Sequence, residues 1–260
     1  MKLVRVAEVV LLAGMLMVMQ SALAAPEEIQ GYMDEMDAPG QWGLDMHMND
    51  VSSSGSNVLY PGQLPAAHLF RVTPEWSYGL TPYLELGAYW LTADSPANGG
   101  WQWLGEKARI KFIAPKAPGQ TWFWGANLEL GKTSSLMDIN PWNGELKLIL
   151  GDRPGNWEFA TNLNFDRALE GPDIQPTMVE LDDRISYRVS PDWRIGAEAY
   201  NQLGSVNVPA PLADYSEMLY MVADTSWHHW DFNLGLGHGL TAVSDHWVAK
   251  MIIGVPLEDF

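Results

Sequence analysis

The stretch TWFWGANLELG, residues 121–131, alternates strictly between two kinds of side chain. One set consists of Trp122, Trp124, Ala126, Leu128 and Leu130, and the residues between them include Asn127 and Glu129. A period of two residues predicts a β-strand with an apolar face and a polar face. A soluble sheet would bury the tryptophan and leucine face, whereas a membrane barrel would turn that face outward to lipid.

The same two-faced pattern recurs along the chain and defines twelve candidate strands. They cover residues 42–51, 71–78, 83–90, 107–112, 121–131, 144–150, 157–166, 178–189, 193–201, 219–227, 230–238 and 247–257. Short turns follow every second strand, while longer connections such as 52–68, 94–102 and 202–218 join most of the others. An even strand number with this alternation predicts an all-β fold, a transmembrane antiparallel up-and-down β-barrel of about 12 strands. A soluble all-β protein is the alternative.

Three features favour the membrane barrel, with the apolar face outside. Tryptophans of the apolar face gather near the short turns, which is typical of a girdle at a membrane interface; they are Trp76, Trp122, Trp157, Trp193, Trp227 and Trp230. The polar face carries glycines such as Gly87 and Gly131, which make room in a crowded interior. The same face carries both signs of charge. Its candidate lumen-lining residues are Arg71, Glu75, Glu85, Lys107, Arg109, Lys111, Asn127, Glu129, Glu145, Lys147, Glu158, Asn162, Asp166, Glu180, Arg184, Arg194, Glu198 and Lys250.

The N-terminus reads as a targeting segment. Lys2 and Arg5 precede the apolar run 9–19, and Ala22-Leu23-Ala24 fits a cleavage site, so residues 1–24 are predicted to be a cleaved signal peptide. Residues 25–40 form an acidic segment that is expected to be periplasmic, and residues 41–260 form the barrel. Within the acidic segment, residues 26–37 are expected to be a solvated, poorly ordered terminus, with cation binding as the alternative. The predicted location is the outer membrane of a Gram-negative bacterium, with the N-terminus in the periplasm.

Three residues disturb the pattern. Pro74 lacks the N–H that a closed ladder needs and predicts a bulge, and Asp183 lies on the apolar phase of strand eight and predicts a register break there. Outer-membrane barrels usually end in phenylalanine with apolar residues at alternating positions before it. Here Phe260 is preceded at those positions by Glu258, Pro256 and Gly254, so the terminal signal is out of register.

Four segments together carry a family resemblance: TPEWSYGLTPYLELGAY (73–89), PWNGELKLILG (141–151), VADTSW (222–227) and WVAKMIIGVP (247–256). They resemble a family of uncharacterised proteobacterial outer-membrane β-barrel proteins, distantly similar to barrels of phenol degradation and hydrophobic-compound uptake. The resemblance implies fold and location more than activity, since it brings no catalytic motif.

Composition and local motifs narrow the function. A formal charge of -17 argues against nucleic acid as a partner, and the absence of cysteine excludes thiolate chemistry. The motif DMHMND (45–50) suggests copper binding by Met and His, but the strand phase sends Met46 and Met48 outward and His47 inward. The adjacent His228 and His229 are expected to be solvated residues of a tight turn rather than metal ligands. No cofactor and no metal site are therefore expected.

The leading functional hypothesis is a passive pore or uptake channel for small solutes, and enzyme activity is not expected. A plugged scaffold barrel without transport is the first alternative. An outer-membrane lipid hydrolase that uses Ser244 with His238 or His246 is the second. The expected partners are outer-membrane lipid, the barrel-assembly machinery and a small solute.

Overall fold

The computed structural model describes residues 28–96, 99–207, 215–255 and 257. The predicted signal peptide, residues 1–24, and the terminal Phe260 lie outside these residues, as do Pro256 and Glu258. Among the described residues, no helix is long and apolar enough to cross a membrane.

The chain forms a closed antiparallel β-barrel, in which each strand pairs with its neighbours in sequence and β1 pairs with β12. The predicted twelve-strand barrel is therefore confirmed. The strands are β1 (Trp42–Ser54), β2 (Leu69–Thr81), β3 (Leu84–Ser95), β4 (Gly100–Ile113), β5 (Trp122–Thr133), β6 (Trp142–Asp152), β7 (Trp157–Glu170), β8 (Met178–Arg188), β9 (Trp193–Ser205), β10 (Glu217–Trp227), β11 (Trp230–Gly239) and β12 (Asp245–Val255).

The apolar face of each strand lies on the outside of the barrel. In β5, Leu128 and Leu130 are 47% and 50% exposed, whereas Asn127 and Glu129 are 0% and 3% exposed. The strands are 10 to 14 residues long, enough for the 9 to 11 residues that a tilted strand needs to cross a bilayer. A wall that is apolar outside and polar inside is the arrangement of a lipid-embedded barrel.

The interior is crowded, and glycines of the inner face leave space for large side chains on the next strand. A Cβ atom added to Gly87 would lie 2.6 Å from Cγ of Arg109, and one added to Gly131 would lie 2.6 Å from Cγ of Lys107. One added to Gly237 would lie 2.3 Å from the Tyr220 ring. Glycine on the inner face is therefore a packing requirement of this barrel.

We name the two ends of the barrel by their connections. The turn end carries the five short turns, including 153–156, 189–192 and 228–229. The loop end carries the other connections, among them 55–68 and 134–141.

Two of the predicted irregularities are wrong in position. The register of β2 is the same on both sides of Pro74, since Val72 pairs with Thr92 and Glu75 with Tyr89, and the register shift of β2 lies instead between Gly79 and Thr81. In strand eight the register shift lies between Val179 and Glu180 rather than at Asp183. Asp183 keeps its outward phase because Thr161, opposite it on β7, donates a hydrogen bond to its carboxylate over 2.7 Å.

Candidate functional site: a filled lumen

The segment from Glu28 to Asp37 lies inside the barrel. Ile29, Tyr32 and Met33 are 2%, 3% and 6% exposed. Ile29 packs in a cluster with Tyr200 and Tyr220, whereas Tyr32 and Met33 pack with Phe123 and Ile149. The expectation of a solvated, poorly ordered terminus is therefore wrong for residues 28–37, which we call the inserted segment.

Polar contacts from distant strands hold the backbone of the inserted segment. The side-chain amide of Asn162 makes two hydrogen bonds to the backbone of Tyr32. Its Oδ1 accepts from the Tyr32 N–H at 2.6 Å, and its Nδ2 donates to the Tyr32 carbonyl at 2.9 Å. Lys250 donates to the carbonyl of Ile29 at 3.0 Å, and Lys111 donates to that of Glu35 at 2.7 Å. These contacts replace the water that the buried backbone groups would otherwise need.

A first network of inner-face charges centres on Arg109. Its guanidinium donates to Glu75 at 2.6 Å and to Glu85 at 2.7 Å, and Glu85 in turn accepts from the N–H of Asp37 at 2.6 Å. Glu75 also lies 3.0 Å from Nε2 of the fully buried His47. The network therefore joins the wall of the barrel to the inserted segment.

A second network centres on Glu198, which is 1% exposed. Its carboxylate pairs with Arg184 on β8 and with Lys250 on β12, and it accepts a hydrogen bond from Tyr200 at 2.7 Å. Arg184 also pairs with Asp224. Opposite charges of β8, β9, β10 and β12 are thus matched inside the barrel, as buried ions need.

Two lysines of the predicted lumen set, Lys107 and Lys147, are also paired with carboxylates. Lys147 lies 3.5 Å from Glu145 and sits over the Tyr32 ring at 4.5 Å, while Lys107 lies 3.7 Å from Glu129. All 18 residues predicted to line the lumen are buried or half-buried, and none is exposed. Both lysines are thus paired with carboxylates of the wall, and Lys147 also packs against the inserted segment.

At the turn end, two cations fasten the acidic part of the inserted segment. Arg153 lies 2.9 Å from Asp34 and also pairs with Glu35, and Lys116 pairs with Asp34. Nearby, Arg194 lies 3.0 Å from Glu158. The acidic composition that suggested a solvated terminus serves here to pair with cations of two turn-end connections.

Cavities lie at both ends of the lumen. The turn-end cavity has a volume of about 590 Å³ and is lined by residues 30–33 and 35–37 of the inserted segment together with Arg109, Arg184 and Arg194. The loop-end cavity has a volume of about 400 Å³ and includes Ile29 in its wall. The inserted segment therefore lies between the two cavities.

The loop-end cavity has apolar walls and an acidic lining. Leu64, Leu104 and Met218 supply apolar surface. Acidic residues outnumber basic ones, with Glu129, Asp138, Glu145, Asp166, Asp173, Glu180 and Asp245 against Arg71, Lys107 and Arg167. This composition suits a small solute that combines an apolar body with a neutral or positive polar group.

A tyrosine and an aspartate of the loops share this cavity. Burial raises the pKa of the Asp138 carboxyl, and burial followed by the negative charge of Asp138 raises the pKa of Tyr60 to about 12. The Tyr60 hydroxyl has no hydrogen-bond partner among the described residues. It is therefore a protonated donor that a solute in the cavity could engage.

The tryptophans lie on the outer surface. Of the predicted girdle, Trp122, Trp157 and Trp193 begin their strands at the turn end, Trp227 and Trp230 flank the turn 228–229, and Trp76 lies within β2. Trp230 is half-buried, and the others are 43% to 67% exposed. A second set lies toward the loop end and consists of Trp101, Trp103, Trp142 and Trp247, whereas Trp90 lies near the middle of β3. Two aromatic belts flanking an apolar band mark the two faces of a bilayer.

The side chains considered for hydrolysis do not form a Ser–His pair in this structure. The Ser244 hydroxyl is buried. It donates to the carbonyl of Glu217 at 2.9 Å and accepts from the N–H of Glu217 at 3.0 Å. His246 lies 3.4 Å from the Ser53 hydroxyl, and His238 packs against Trp247 at 4.6 Å. Ser244 therefore serves the loop backbone.

The histidine motifs separate as their strand phase predicts. His47 is buried inside, whereas Met46 and Met48 are half-buried on the opposite phase of β1. His228 and His229 are exposed in their turn, with φ angles of 48° and 67°.

Sequence reasoning did not find the role of the inserted segment or of the aromatic residues that contact it. Tyr89, whose hydroxyl lies 2.8 Å from that of Tyr32, and the pair Tyr200 and Tyr220 all lie on the inner face. Their strand phase alone would have placed them there. Their partners on residues 28–37 could not be read from any local pattern.

No family model and no curated protein matches the chain. Solved structures similar to it include outer-membrane barrels. The translocator domain of the autotransporter NalP from Neisseria meningitidis is 10% identical, with 85% of this chain and 88% of that chain covered and a TM-score of 0.44. The toluene transporter TodX from Pseudomonas putida is 11% identical, with coverage of 82% and 87% and a TM-score of 0.42. LpxR from Salmonella typhimurium is 7% identical, with coverage of 82% and 99% and a TM-score of 0.46. The likeness is one of overall barrel shape.

Proposed function

We propose that the protein is a gated passive uptake channel for small solutes in the outer membrane of a Gram-negative bacterium, with the inserted segment as its gate. The observation that carries this proposal is the position of residues 28–37 between two lumen cavities of about 590 and 400 Å³. In a closed barrel with cavities at both ends, displacement of this segment is the rearrangement that we propose opens a continuous path. The wall itself, a closed ladder of twelve strands, stays in place.

The outer surface supports the membrane location. Outward side chains at mid-strand are apolar, and tryptophans lie toward both ends. We place the turn end and the N-terminus in the periplasm, because outer-membrane barrels carry their short turns on that side.

The lining of the loop-end cavity supports a preference among solutes. Its apolar walls favour a solute with a hydrocarbon body, and its excess of acidic over basic residues favours neutral or cationic solutes over anions.

A reversible disulfide tests the gate, because the chain has no cysteine of its own. A Cβ atom built on Gly31 would lie 3.3 Å from Cβ of Arg184, close to the separation of about 3.5 to 4.5 Å found in disulfides. In planar bilayers, the variant Gly31→Cys/Arg184→Cys should show channel openings when reduced and lose them when oxidised. The single variant Gly31→Cys, treated in the same way, controls for the redox reagents.

The second candidate function is a closed scaffold barrel, which the dense pairing of lumen charges favours. Arg109, Arg184 and Lys250 all engage carboxylates inside the barrel. If folded wild-type protein and both redox forms of the double variant give no channel events, the gate proposal is wrong and the scaffold is the better account.

A further inference from the structure

One cluster inside the lumen has the composition of a metal site rather than of an ion pair alone. Glu28, His47 and Glu75 each offer one ligand atom, and these three atoms all lie within 4.8 Å of one another. Ligands of a tetrahedral zinc ion stand roughly 3.3 Å apart, given bonds of about 2.0 Å, so a small contraction would close the site.

We propose that Glu28, His47 and Glu75 bind a divalent transition-metal ion of the zinc class, and that this ion fastens the inserted segment to the barrel wall. His47 lies on β1 and Glu75 on β2, whereas Glu28 belongs to the inserted segment. An ion held by all three residues would therefore cross-link the segment to two neighbouring strands. Imidazole nitrogen together with carboxylate oxygen favours zinc, manganese or iron over magnesium and calcium, which take oxygen ligands alone.

The carboxylates are already oriented by other groups. Oε1 of Glu75 accepts from Arg109 at 2.6 Å, which leaves Oε2 on the side of His47. Oε1 of Glu28 accepts from the Tyr32 hydroxyl at 2.6 Å. Partners of this kind hold ligands in place around bound metals.

A separate observation concerns His47 itself. The side chain is 0% exposed, and its Nδ1 atom has no hydrogen-bond partner among the described residues. Because no acceptor or donor fixes Nδ1, this atom can carry the ring proton, which leaves Nε2, 3.0 Å from Oε2 of Glu75, as the nitrogen that binds a metal ion.

The local charge balance points the same way. Glu28 and Glu75 both belong to the cluster, and Glu75 shares the guanidinium of Arg109 with a third carboxylate, that of Glu85. A divalent cation would supply positive charge that buried carboxylates need. The copper site considered for residues 45–50 would have used ligands from the strand of His47 itself. In the present site the other two ligands come from β2 and from the inserted segment.

Metal binding can be measured without reference to transport. Refolded mature protein is dialysed against Zn²⁺ and analysed for bound metal, and Co²⁺ is used as a spectroscopic probe of the ligand set. We expect one ion per chain in the wild type and at least about tenfold weaker binding in Glu28→Gln and in His47→Gln. Glu35→Gln is the matched control, because Glu35 lies in the same segment, is largely exposed and pairs with Arg153.

Glu28→Gln keeps the test decisive if His47→Gln fails to fold, because Glu28 lies outside the strands of the barrel wall. No ion bound to the wild type, or equal binding by the wild type and Glu28→Gln, would overturn the site.

The fastening role is tested by hydrogen exchange, whose result does not depend on whether the barrel conducts. Any effect of the metal ion on gating rests on the proposed function, whereas the metal site itself does not rest on that function. Zn²⁺ should slow amide exchange across residues 28–37 in the wild type and in Glu35→Gln, and leave it unchanged in Glu28→Gln. Bound Zn²⁺ without slower exchange in the wild type would overturn the fastening role.

Discussion

Replacing Leu128 by arginine tests which face of the wall meets lipid. Leu128 lies in the middle of β5, is 47% exposed, and pairs with Ile110 on one side and Leu146 on the other, both of them exposed apolar residues. An arginine there would extend from the apolar band with no carboxylate beside it. An arginine at the bilayer midplane of a barrel costs about 2 to 4 kcal/mol, and one near the interface costs about 0 to 1 kcal/mol.

The matched control is Val189→Arg, because Val189 is apolar and 51% exposed but lies at the turn end, just after β8. Both variants are unfolded by urea in lipid vesicles, with tryptophan fluorescence as the signal. We expect Leu128→Arg to lower the free energy of unfolding by about 3 kcal/mol and Val189→Arg by less than about 1 kcal/mol. Equal losses, or a larger loss for Val189→Arg, would refute the membrane orientation.

Two further predictions concern the filled lumen. Lys250→Met should lower the free energy of unfolding by about 3 kcal/mol, because it removes a buried partner of Glu198; urea unfolding measures this, and a loss no larger than that of the exposed control Lys132→Met would contradict it. Gly151→Ala should cost about 1 to 3 kcal/mol, because the added methyl group would lie 2.1 Å from the Phe123 ring. Phe123→Leu should recover part of that loss, and an unchanged melting temperature in Gly151→Ala alone would show that the interior is not packed in this way.

The barrel could be predicted from the sequence because its rule is local. A period of two assigns Leu128 to one face and Asn127 to the other without reference to any other part of the chain. The repeated alternation of such strands with short turns then implies closure, since a membrane sheet cannot leave an edge unpaired. The positions of the irregularities were harder to predict from the sequence, because they depend on the neighbouring strands. The register of β2 continues past Pro74, and Asp183 accepts a hydrogen bond from Thr161.

The inserted segment could not be predicted, because its fit depends on residues far away in sequence. Acidic composition suggested a solvated terminus, yet the N–H and carbonyl of Tyr32 are held by Asn162, which lies 130 residues later. Lys250, which bonds Ile29, lies 221 residues later. Period and composition indicate that the lumen is polar and do not indicate what fills it.

The central claim, that residues 28–37 pass through the lumen, is tested most directly by disulfide formation in folded, membrane-embedded protein. In the variant Gly31→Cys/Arg184→Cys the two Cβ atoms would stand about 3.3 Å apart inside the barrel. The control, Gly31→Cys/Ile185→Cys, moves the second cysteine by one residue to the outer face of the same strand, where Ile185 is 42% exposed. Under mild oxidation we predict nearly complete cross-linking in the first variant and almost none in the control. Failure to cross-link Gly31→Cys/Arg184→Cys, or equal yields in both, would contradict the filled lumen.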